Sequence, residues 1–167
     1  MTSLRDRPEF KLGAEAEQRV AAWLQVRGWY VIPSYDYSGP DDDKPPRLQG
    51  FKVGHPVPDL DVSRHGIRRW VEVKYKSYSP TYRKGGYQVH GIYLRLLEHY
   101  RTVEKITGSE CWIAIYQADT RELLSQSLSK LGEPQIGTDR GRPTAYWPRD
   151  RFIHLHTFSR HNVAVNP

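Results

Sequence analysis

The sequence predicts a mixed α/β domain in which a central sheet is flanked by two long helices. Residues 14–27 and 91–107 carry apolar side chains at the helical period of 3.6 residues. Residues 60–63 and 67–76 alternate apolar and polar side chains, which is the pattern of a half-buried hairpin. Residues 111–116 form a continuous apolar run, as expected of a strand deep in the sheet.

A chain of 167 residues is long enough to bury a sizeable core, and we assign residues 1–167 to a single domain. Residues 1–12 are polar, and we expect them and residues 160–167 to be frayed, while residues 34–57 form a long irregular loop. The 25 lysines and arginines outnumber the 19 acidic residues, which gives a net charge of +6. This basic balance favours a polyanionic partner.

Cysteine usage and hydropathy exclude several classes of protein. Cys111 is the sole cysteine, so neither a disulfide nor a cysteine-rich zinc site can form within one chain. No apolar stretch approaches the length that spans a membrane, and the N-terminus lacks the apolar core of a secretory signal. We therefore predict a cytoplasmic protein without a membrane partner.

The first predicted helix carries an acidic residue on its apolar side. Its apolar stripe consists of Val20, Ala21 and Leu24. At 3.6 residues per turn, Glu17 lies in the middle of that stripe and Glu15 lies nearly opposite, towards water. A carboxylate on a core-facing stripe requires a partner, which is either an arginine at the helix edge or a metal site.

The predicted hairpin brings two further carboxylates together. A two-residue loop at His65 and Gly66 supplies glycine where a tight turn requires positive φ. In that register Asp59 lies directly opposite Glu72, with Cβ atoms on the order of 5 Å apart. Two such carboxylates repel each other unless one is protonated or a cation lies between them, and a hard divalent metal ion is the simplest candidate. Lys74, two residues along on the same face, reaches the same place.

A second register of the hairpin stays open. With Gly66 and Ile67 as the loop, Asp61 instead of Asp59 would lie opposite Glu72. We favour the first register because the second one removes Ile67 from its strand.

Beyond the hairpin, aromatic and basic side chains are interleaved. Such a segment offers cations for phosphates and rings that stack on unpaired or distorted bases. The alternative is a tyrosine-rich loop packed on the edge of the sheet. The candidate nucleic-acid-binding residues are Lys76, Tyr78, Tyr82, Arg83, Lys84 and Gln88.

Shorter elements complete the predicted order of helices and strands. Residues 29–32 are predicted as a short buried strand, and Gly108 is predicted to end the second helix. Residues 152–156 are predicted as a last strand with His154 and His156 on one face. We interpret that face as an exposed strand surface because zinc requires more ligands than two histidines.

The segment between the apolar run and the last strand is predicted to contain no strand. Asp119-x-x-Glu122 has the pattern of a capping box and predicts a short helix through Leu128. Residues 132–148 are predicted as a loop that carries arginines for contacts with a nucleic-acid backbone.

Four short motifs occur in the order of a known family. They are Gly13-x-x-Ala16-Glu17, Gly28-Trp29, Pro58-Asp59 and Glu72-Val73-Lys74. In order and spacing they resemble the PD-(D/E)XK nuclease superfamily, and within it the archaeal-type Holliday-junction resolvases. The resemblance covers the first 75 residues well. It implies the restriction-endonuclease-like fold, a mixed central sheet flanked by helices.

By this resemblance the catalytic residues are Glu17, Asp59, Glu72 and Lys74. Asp59, Glu72 and the Val73 carbonyl correspond to the ligands of Mg²⁺ or Mn²⁺, and Lys74 corresponds to the essential lysine. Asp61 is a second acid beside the expected one, so the choice between Asp59 and Asp61 stays open.

The resemblance implies a metal-dependent endonuclease that hydrolyses phosphodiester bonds of duplex or branched DNA. A two-fold junction substrate would suit a homodimer. Two other classes stay open, namely a DNA-binding module of the same fold without catalysis and an interaction protein whose Glu72 and Lys74 are ordinary strand-face charges.

Overall fold

The computed structural model describes residues 8–33, 47–49, 54–83 and 85–159. Three α-helices and twelve strands are assigned within these ranges, together with a 3-10 turn at Arg149–Arg151. In chain order they are α1 (Pro8–Val26), β1 (Tyr30–Pro33), β2 (Arg47–Gln49), β3 (Gly54–Pro56), β4 (Leu60–Arg64), β5 (Ile67–Lys76), β6 (Thr81–Tyr82), β7 (Tyr87–Tyr93), α2 (Leu94–Thr107), β8 (Glu110–Gln117), β9 (Glu122–Ser127), α3 (Leu128–Leu131), β10 (Gln135–Asp139), β11 (Arg142–Pro148) and β12 (Ile153–Thr157).

A six-stranded sheet with the order β1-β4-β5-β8-β9-β12 forms the centre of the fold. The β5–β8 pair is parallel and the other pairs are antiparallel, so the sheet is mixed. A second, four-stranded antiparallel sheet has the order β10-β11-β7-β6, and β2 and β3 form a separate two-stranded ribbon. The predicted mixed α/β class is confirmed.

The core has two layers, one on each face of the six-stranded sheet. Between this sheet and α1 lie Ala16, Val20, Leu60, Val62, Val71, Val73, Ala114, Tyr116 and Leu123. On the other face, α2 and the inner side of the second sheet cover a larger cluster that includes Trp70, Leu97, Val103, Ile113, Ile115 and Trp147. Because side chains alternate along β5, Val71 and Val73 face α1 while Trp70 and Glu72 face the second layer.

The hairpin has the register that we favoured. Arg64 pairs with Ile67, and the two loop residues His65 and Gly66 have φ values of 49° and 78°. Positive φ at both loop positions is typical of the type I′ turn, which matches the twist of the flanking strands. The alternative loop at Gly66 and Ile67 is excluded.

Both long helices differ from the prediction at their N-terminal ends. Helix α1 begins at Pro8, so residues 8–12 are helical and not frayed as expected; residues 1–7 and 160–167 lie outside the described ranges. Proline is tolerated in the first turn because the N–H that it lacks would be unpaired there. Helix α2 begins at Leu94, since the residues before it continue β7, and it ends at Gly108 in a left-handed conformation as predicted.

The predicted buried strand at residues 29–32 is an edge strand. Strand β1 pairs with β4, and Tyr30 and Ile32 are 78% and 64% exposed. An apolar run alone does not tell whether a layer covers both faces of the strand. In the predicted loop at 34–57, residues 47–49 and 54–56 form β2 and β3, while 34–46 and 50–53 lie outside the described ranges.

The prediction of a helix after the capping-box pattern is wrong. Residues Glu122–Ser127 form β9, and only Leu128–Leu131 are helical. Asp119 accepts hydrogen bonds from the Thr120 N–H and the Gln117 amide, so it stabilises a turn between strands and caps no helix. All five residues after Glu122 in this strand are buried, and a short run buried on both faces lacks the alternation that marks a strand.

The predicted loop at 132–148 is also wrong, because it contains the β10–β11 hairpin. Its turn residues Arg140 and Gly141 have φ values of 49° and 78°. The last strand was predicted within one residue of its bounds, but its histidines do not share a face. The register with β9 shifts between His154 and His156; His154 contacts Thr157, whereas the His156 ring lies against Trp23 and Phe158.

Among the described residues, no helix combines the length and the apolar character needed to cross a membrane.

The core on the α2 side can be tested at Ile113 in β8, which is fully buried. We expect Ile113→Ala to lower the free energy of unfolding by about 2–5 kcal/mol, because it leaves a cavity in packed surroundings. Ile106→Ala, at a position 56% exposed in α2, serves as the control and should change it by less than about 0.5 kcal/mol. Equal effects in urea unfolding would contradict this packing.

Candidate active site

Two buried carboxylates meet where β4 begins beside β5. Asp59 directly precedes β4, and continuing the register from the pair Leu60 and Val71 sets it beside Glu72. The Asp59 side chain accepts a hydrogen bond from the Val73 N–H at 2.7 Å. Asp59 and Glu72 are only 7% and 2% exposed. The hairpin therefore holds both acids away from bulk water.

Lys74 provides the opposite charge at this pair. Its Nζ contacts Oε1 of Glu72, and its side chain is 29% exposed, so the ammonium lies between the buried acid and solvent. Oε2 of Glu72 is buried and has no hydrogen-bond partner within the described part of the chain. This Oε2 atom is therefore available to a ligand. A buried polar atom without a hydrogen bond is energetically costly, so a ligand there would be favourable.

The electrostatics of the site disfavour a second negative charge. Burial raises the pKa of Asp59 well above its ordinary range, and the negative charge of Glu72 raises it further. Lys74 opposes this rise, Glu17 adds to it, and the hydrogen bond from Val73 opposes it. A bound cation would relieve the repulsion between the carboxylates.

Helix α1 contributes the third acid. Glu17 is partly buried and acts on the pKa of Asp59 from the helix that packs on β5. On the opposite side of the helix, Glu15 is exposed and forms an ion pair of 2.6 Å with Arg19. The partial burial of Glu17 and the exposure of Glu15 follow the predicted helical stripe.

Asp61 lies two residues after Asp59, in β4, and its carboxylate is paired with Arg68. Both of its carboxylate oxygens accept hydrogen bonds from the Arg68 guanidinium across the hairpin, at 2.9 and 2.8 Å. This bidentate pair occupies the carboxylate on the strand surface. The geometry therefore favours Asp59 over Asp61 as the partner of Glu72.

A turn of the second sheet approaches the site on the side of Lys76, which follows Glu72 and Lys74 on the same face of β5. Burial lowers the pKa of Lys76, and the charge of Lys74 lowers it further, whereas Asp139 raises it. Arg140 also lowers it. Asp139 ends β10 and Arg140 follows it in the β10–β11 turn, in a segment whose sequence predicts only a loop. The Arg140-Gly141 pair was the available turn signal.

A buried histidine lies behind Lys76. His90 in β7 is 1% exposed, and its Nε2 lies 3.1 Å from the Ser79 hydroxyl. Burial lowers the pKa of His90 to about 4, and the charges of Lys76 and Arg149 contribute to the shift. At neutral pH the ring is uncharged, so it ties β7 to the segment after β5 without adding charge near the lysines. Its sequence position in β7 gave no signal of this contact.

The predicted nucleic-acid-binding residues are distributed between the site and the second sheet. Lys76 lies on the site face of β5, and Tyr78 follows that strand with 60% of its surface exposed. Tyr82 lies in β6, Arg83 is exposed in the turn after it, and Gln88 is exposed in β7 opposite Thr81. Lys84 lies outside the described ranges.

The donor set fits a hard divalent cation. Carboxylate and carbonyl oxygens are the ligands of Mg²⁺ and related ions, and here Asp59, the unpartnered Oε2 of Glu72 and the Val73 main chain lie together. Within the described residues, no group of three or more histidine, cysteine, aspartate or glutamate side chains is arranged to hold a metal ion. A cation here would rely on two carboxylates, main-chain oxygen and water.

Comparison with solved structures identifies the fold. A Holliday junction resolvase, Hjc, from the archaeal hyperthermophile Archaeoglobus fulgidus superposes with a TM-score of 0.54 and 13% identity, over 86% of this chain and 91% of that chain. This chain has the restriction-endonuclease-like fold. D212, a nuclease from a fusselovirus, is a further match, with a TM-score of 0.46 and 12% identity, over 93% of this chain and 89% of that one.

The predicted resemblance is confirmed at the level of the fold. No protein-family model matches the chain, and no curated protein matches its sequence. The roles assigned to Glu17, Asp59, Glu72 and Lys74 stay predictions.

The raised pKa of Asp59 predicts a pH-dependent stability of the metal-free protein. The folded state binds the proton more tightly than the unfolded chain does. Protonation of Asp59 therefore stabilises the folded state in full below the ordinary aspartate pKa of about 3.9. This stabilisation is lost as the pH rises through the raised pKa that Asp59 has in the folded state. Asn at this position cannot ionise, so Asp59→Asn should melt above the wild type in EDTA, with a difference that grows with pH and vanishes near pH 4.

Asp61→Asn is the matched control, because Asp61 is paired with Arg68 and should not show this gain. Melting curves of both variants from pH 4 to 9 provide the measurement. Parallel pH profiles for Asp59→Asn and the wild type would contradict the buried, charge-repelled state of Asp59.

Proposed function

We propose that the protein is a metal-dependent endonuclease that hydrolyses phosphodiester bonds in DNA. The observation that carries the proposal is the buried pair Asp59 and Glu72, with the Lys74 ammonium on one of the two carboxylates. This set lies on a hairpin of the restriction-endonuclease-like fold, and the basic charge of the chain suits a phosphate-rich partner. Fold alone does not establish an activity, so the proposal depends on the site.

Asp59, Glu72 and the Val73 carbonyl would hold Mg²⁺ or Mn²⁺. When bound, such an ion lowers the pKa of a coordinated water and neutralises charge on the phosphate. The residues of the chain prepare the site by keeping two carboxylates close together and mostly dry, with the Val73 N–H fixing the orientation of Asp59. Glu17, which adds negative charge from α1, would strengthen attraction for the cation.

Lys74 would act on the reacting groups. Its contact with Glu72 fixes the ammonium at the mouth of the site, where it can orient the attacking water or stabilise negative charge that develops on the phosphate oxygens. The partly exposed side chain keeps this group accessible to a substrate from solvent.

The substrate that we propose is duplex or branched DNA. Lys76 beside Lys74 and the exposed Arg83 would contact phosphates, and Tyr78, Tyr82 and Gln88 would contact the strand near the site. A homodimer would match a two-fold junction. The free, buried thiol of Cys111 suits the reducing cytoplasm that we assign as the location.

Cleavage of a panel of duplex, single-stranded, flap and four-way-junction DNA tests the activity. We expect cuts with Mg²⁺ or Mn²⁺, none with EDTA, and a loss of at least about 100-fold in Lys74→Ala and Asp59→Asn, because each removes a group acting on the reacting atoms. Lys105→Ala, at an exposed position in the last turn of α2, is the charge-matched control and should cut normally.

Gel shifts of the same variants in EDTA separate catalysis from binding. Lys74→Ala should bind DNA within about threefold of the wild type, since other basic residues supply most phosphate contacts. Wild-type cleavage by Lys74→Ala would refute the catalytic assignment, and binding without cleavage by the wild type would identify a DNA-binding module instead.

Metal binding can be measured without turnover. Mg²⁺ or Mn²⁺ should raise the melting temperature of the wild type, because a ligand that binds only the folded state stabilises it. Glu72→Gln and Asp59→Asn should lose most of this rise, whereas Asp61→Asn should retain it. An equal rise in all four proteins would place the cation elsewhere.

A further inference from the structure

The outer face of the second sheet carries a cluster of tyrosines that the proposed cleavage chemistry does not use. We name the side chains of Tyr82, Tyr87 and Tyr146 the tyrosine platform. The ring centroids of Tyr82 and Tyr87 are 5.7 Å apart and stacked, and those of Tyr82 and Tyr146 are 6.5 Å apart. All three side chains are partly exposed. Strands β6, β7 and β11 each contribute one ring.

Tyr146 points away from the core. Its neighbours in β11, Ala145 and Trp147, are buried in the larger core cluster, so the alternation of the strand directs Tyr146 to the other face. Its partner in β7 is Gly91, which lies between two buried residues of the inner face. The ring therefore lies on the outer surface of the sheet and does not fill the interior.

Glycines on the neighbouring strands make room for this ring. A Cβ atom on Gly91 would lie 2.6 Å from Cδ1 of Tyr146, and one on Gly137 would lie 3.1 Å from Cε2 on the opposite edge. The two edges of the ring thus reach over both neighbouring strands, at positions where a Cβ atom would collide with them. Its hydroxyl donates to the Thr138 carbonyl at 3.3 Å, which fixes its orientation.

Tyr87 is held in a similar way. A Cβ atom on Gly85 would lie 2.1 Å from Cε1 of Tyr87, so this ring also rests against a glycine backbone. Partly exposed, fixed aromatic rings are poor hydrogen-bonding surfaces but good partners for other planar groups. Pre-oriented rings lose little side-chain entropy when a ligand stacks on them.

Arginines are found on the strands and turns next to the platform. The Arg142 guanidinium lies 5.2 Å from the centroid of the Tyr93 ring on the same sheet, and Arg83 and Arg140 are exposed in the turns that border the platform. Aromatic faces combined with flanking cations are complementary to unpaired nucleotides, whose bases stack while their phosphates are neutralised. A paired base inside a duplex exposes no face for such stacking.

The β10–β11 turn connects the platform to the catalytic site. Burial raises the pKa of Tyr146, and Asp139 adds to the rise; burial lowers the pKa of Lys76, and the same Asp139 opposes the decrease. The Tyr146 hydroxyl bonds to the carbonyl of Thr138, the residue before Asp139, so the platform contacts the strand end whose charge acts on Lys76.

We infer that the tyrosine platform stacks unpaired bases of the DNA, so that the substrate is a duplex with a single-stranded arm or an opened branch point next to the cut. This inference rests on the proposed function for its choice of DNA. It adds that the enzyme distinguishes its substrate by unpaired nucleotides held on the second sheet.

The test uses a duplex with a single-stranded arm that contains 2-aminopurine, in EDTA so that no cleavage occurs. Stacking on a ring quenches its fluorescence, and we expect quenching by the wild type at the arm and none with a blunt duplex labelled internally. Tyr82→Leu and Tyr146→Leu should each weaken binding of the armed duplex by about 5- to 150-fold and abolish quenching. Binding of the blunt duplex by Tyr146→Leu should change by less than about twofold.

Matched controls separate stacking from other effects. Tyr82→Phe and Tyr146→Phe keep the ring and should retain quenching, whereas Tyr30→Leu, at an exposed position on β1, should behave as the wild type. Equal affinity of the leucine variants and the wild type for the armed duplex would overturn the inference. If a leucine variant does not fold, the arm is labelled with 5-iododeoxyuridine and photocrosslinked to the wild type. Crosslinks to residues outside the platform would also overturn the inference.

These outcomes are independent of catalysis. Loss of cleavage in Lys74→Ala together with unchanged stacking in the leucine variants would refute the platform and leave the nuclease intact. Quenching at the platform by a protein that cuts no substrate would support the platform and refute the nuclease.

Discussion

The repulsion between the buried carboxylates of Asp59 and Glu72 is the constraint around which the structure is built. A like-charge pair with little exposure is unfavourable by itself. The Val73 N–H and the Lys74 ammonium compensate for it in part, and both belong to the strand that carries Glu72. Because the compensation is incomplete, one oxygen of Glu72 has no hydrogen-bond partner among the residues that the structure describes, and the proposed cation would occupy this position.

The packing of the sheet keeps this unfavourable arrangement in place. Strand β5 is central, with β4 on one side and β8 parallel on the other. The backbone of Glu72 therefore cannot move without breaking hydrogen bonds between β5 and both neighbouring strands. Val71 and Val73 anchor the strand to α1, and Trp70 anchors it on the other face through a hydrogen bond of 3.1 Å to Thr107. Helix α1 thereby fixes Glu17 near the pair. Apolar contacts on both faces supply the stability that the charged site does not.

The second sheet lies next to the candidate site. Its inner face joins the core through residues such as Ile92 and Trp147, and the buried His90 ties it to Ser79 after β5. Its outer face carries the tyrosine platform, and its β10–β11 turn approaches Lys76. One layer thus links the protein interior, the segment beside Lys76 and the tyrosine platform.

Local patterns in the sequence determined the β4–β5 hairpin, the central strand β8, the inward position of Glu17 and the helix end at Gly108, because alternation, helical period and glycine φ preferences act over a few residues. Only the tertiary structure decided that residues 122–127 pair as β9, that β10 and β11 form a hairpin, and that both carboxylate oxygens of Asp61 are bonded to Arg68. Strand pairing depends on partners that are distant in sequence, and a short run buried on both faces has no period to reveal it. The tyrosine platform likewise depends on strand pairing. Its rings come from three strands, and its contacts with glycines exist only once the strands are adjacent.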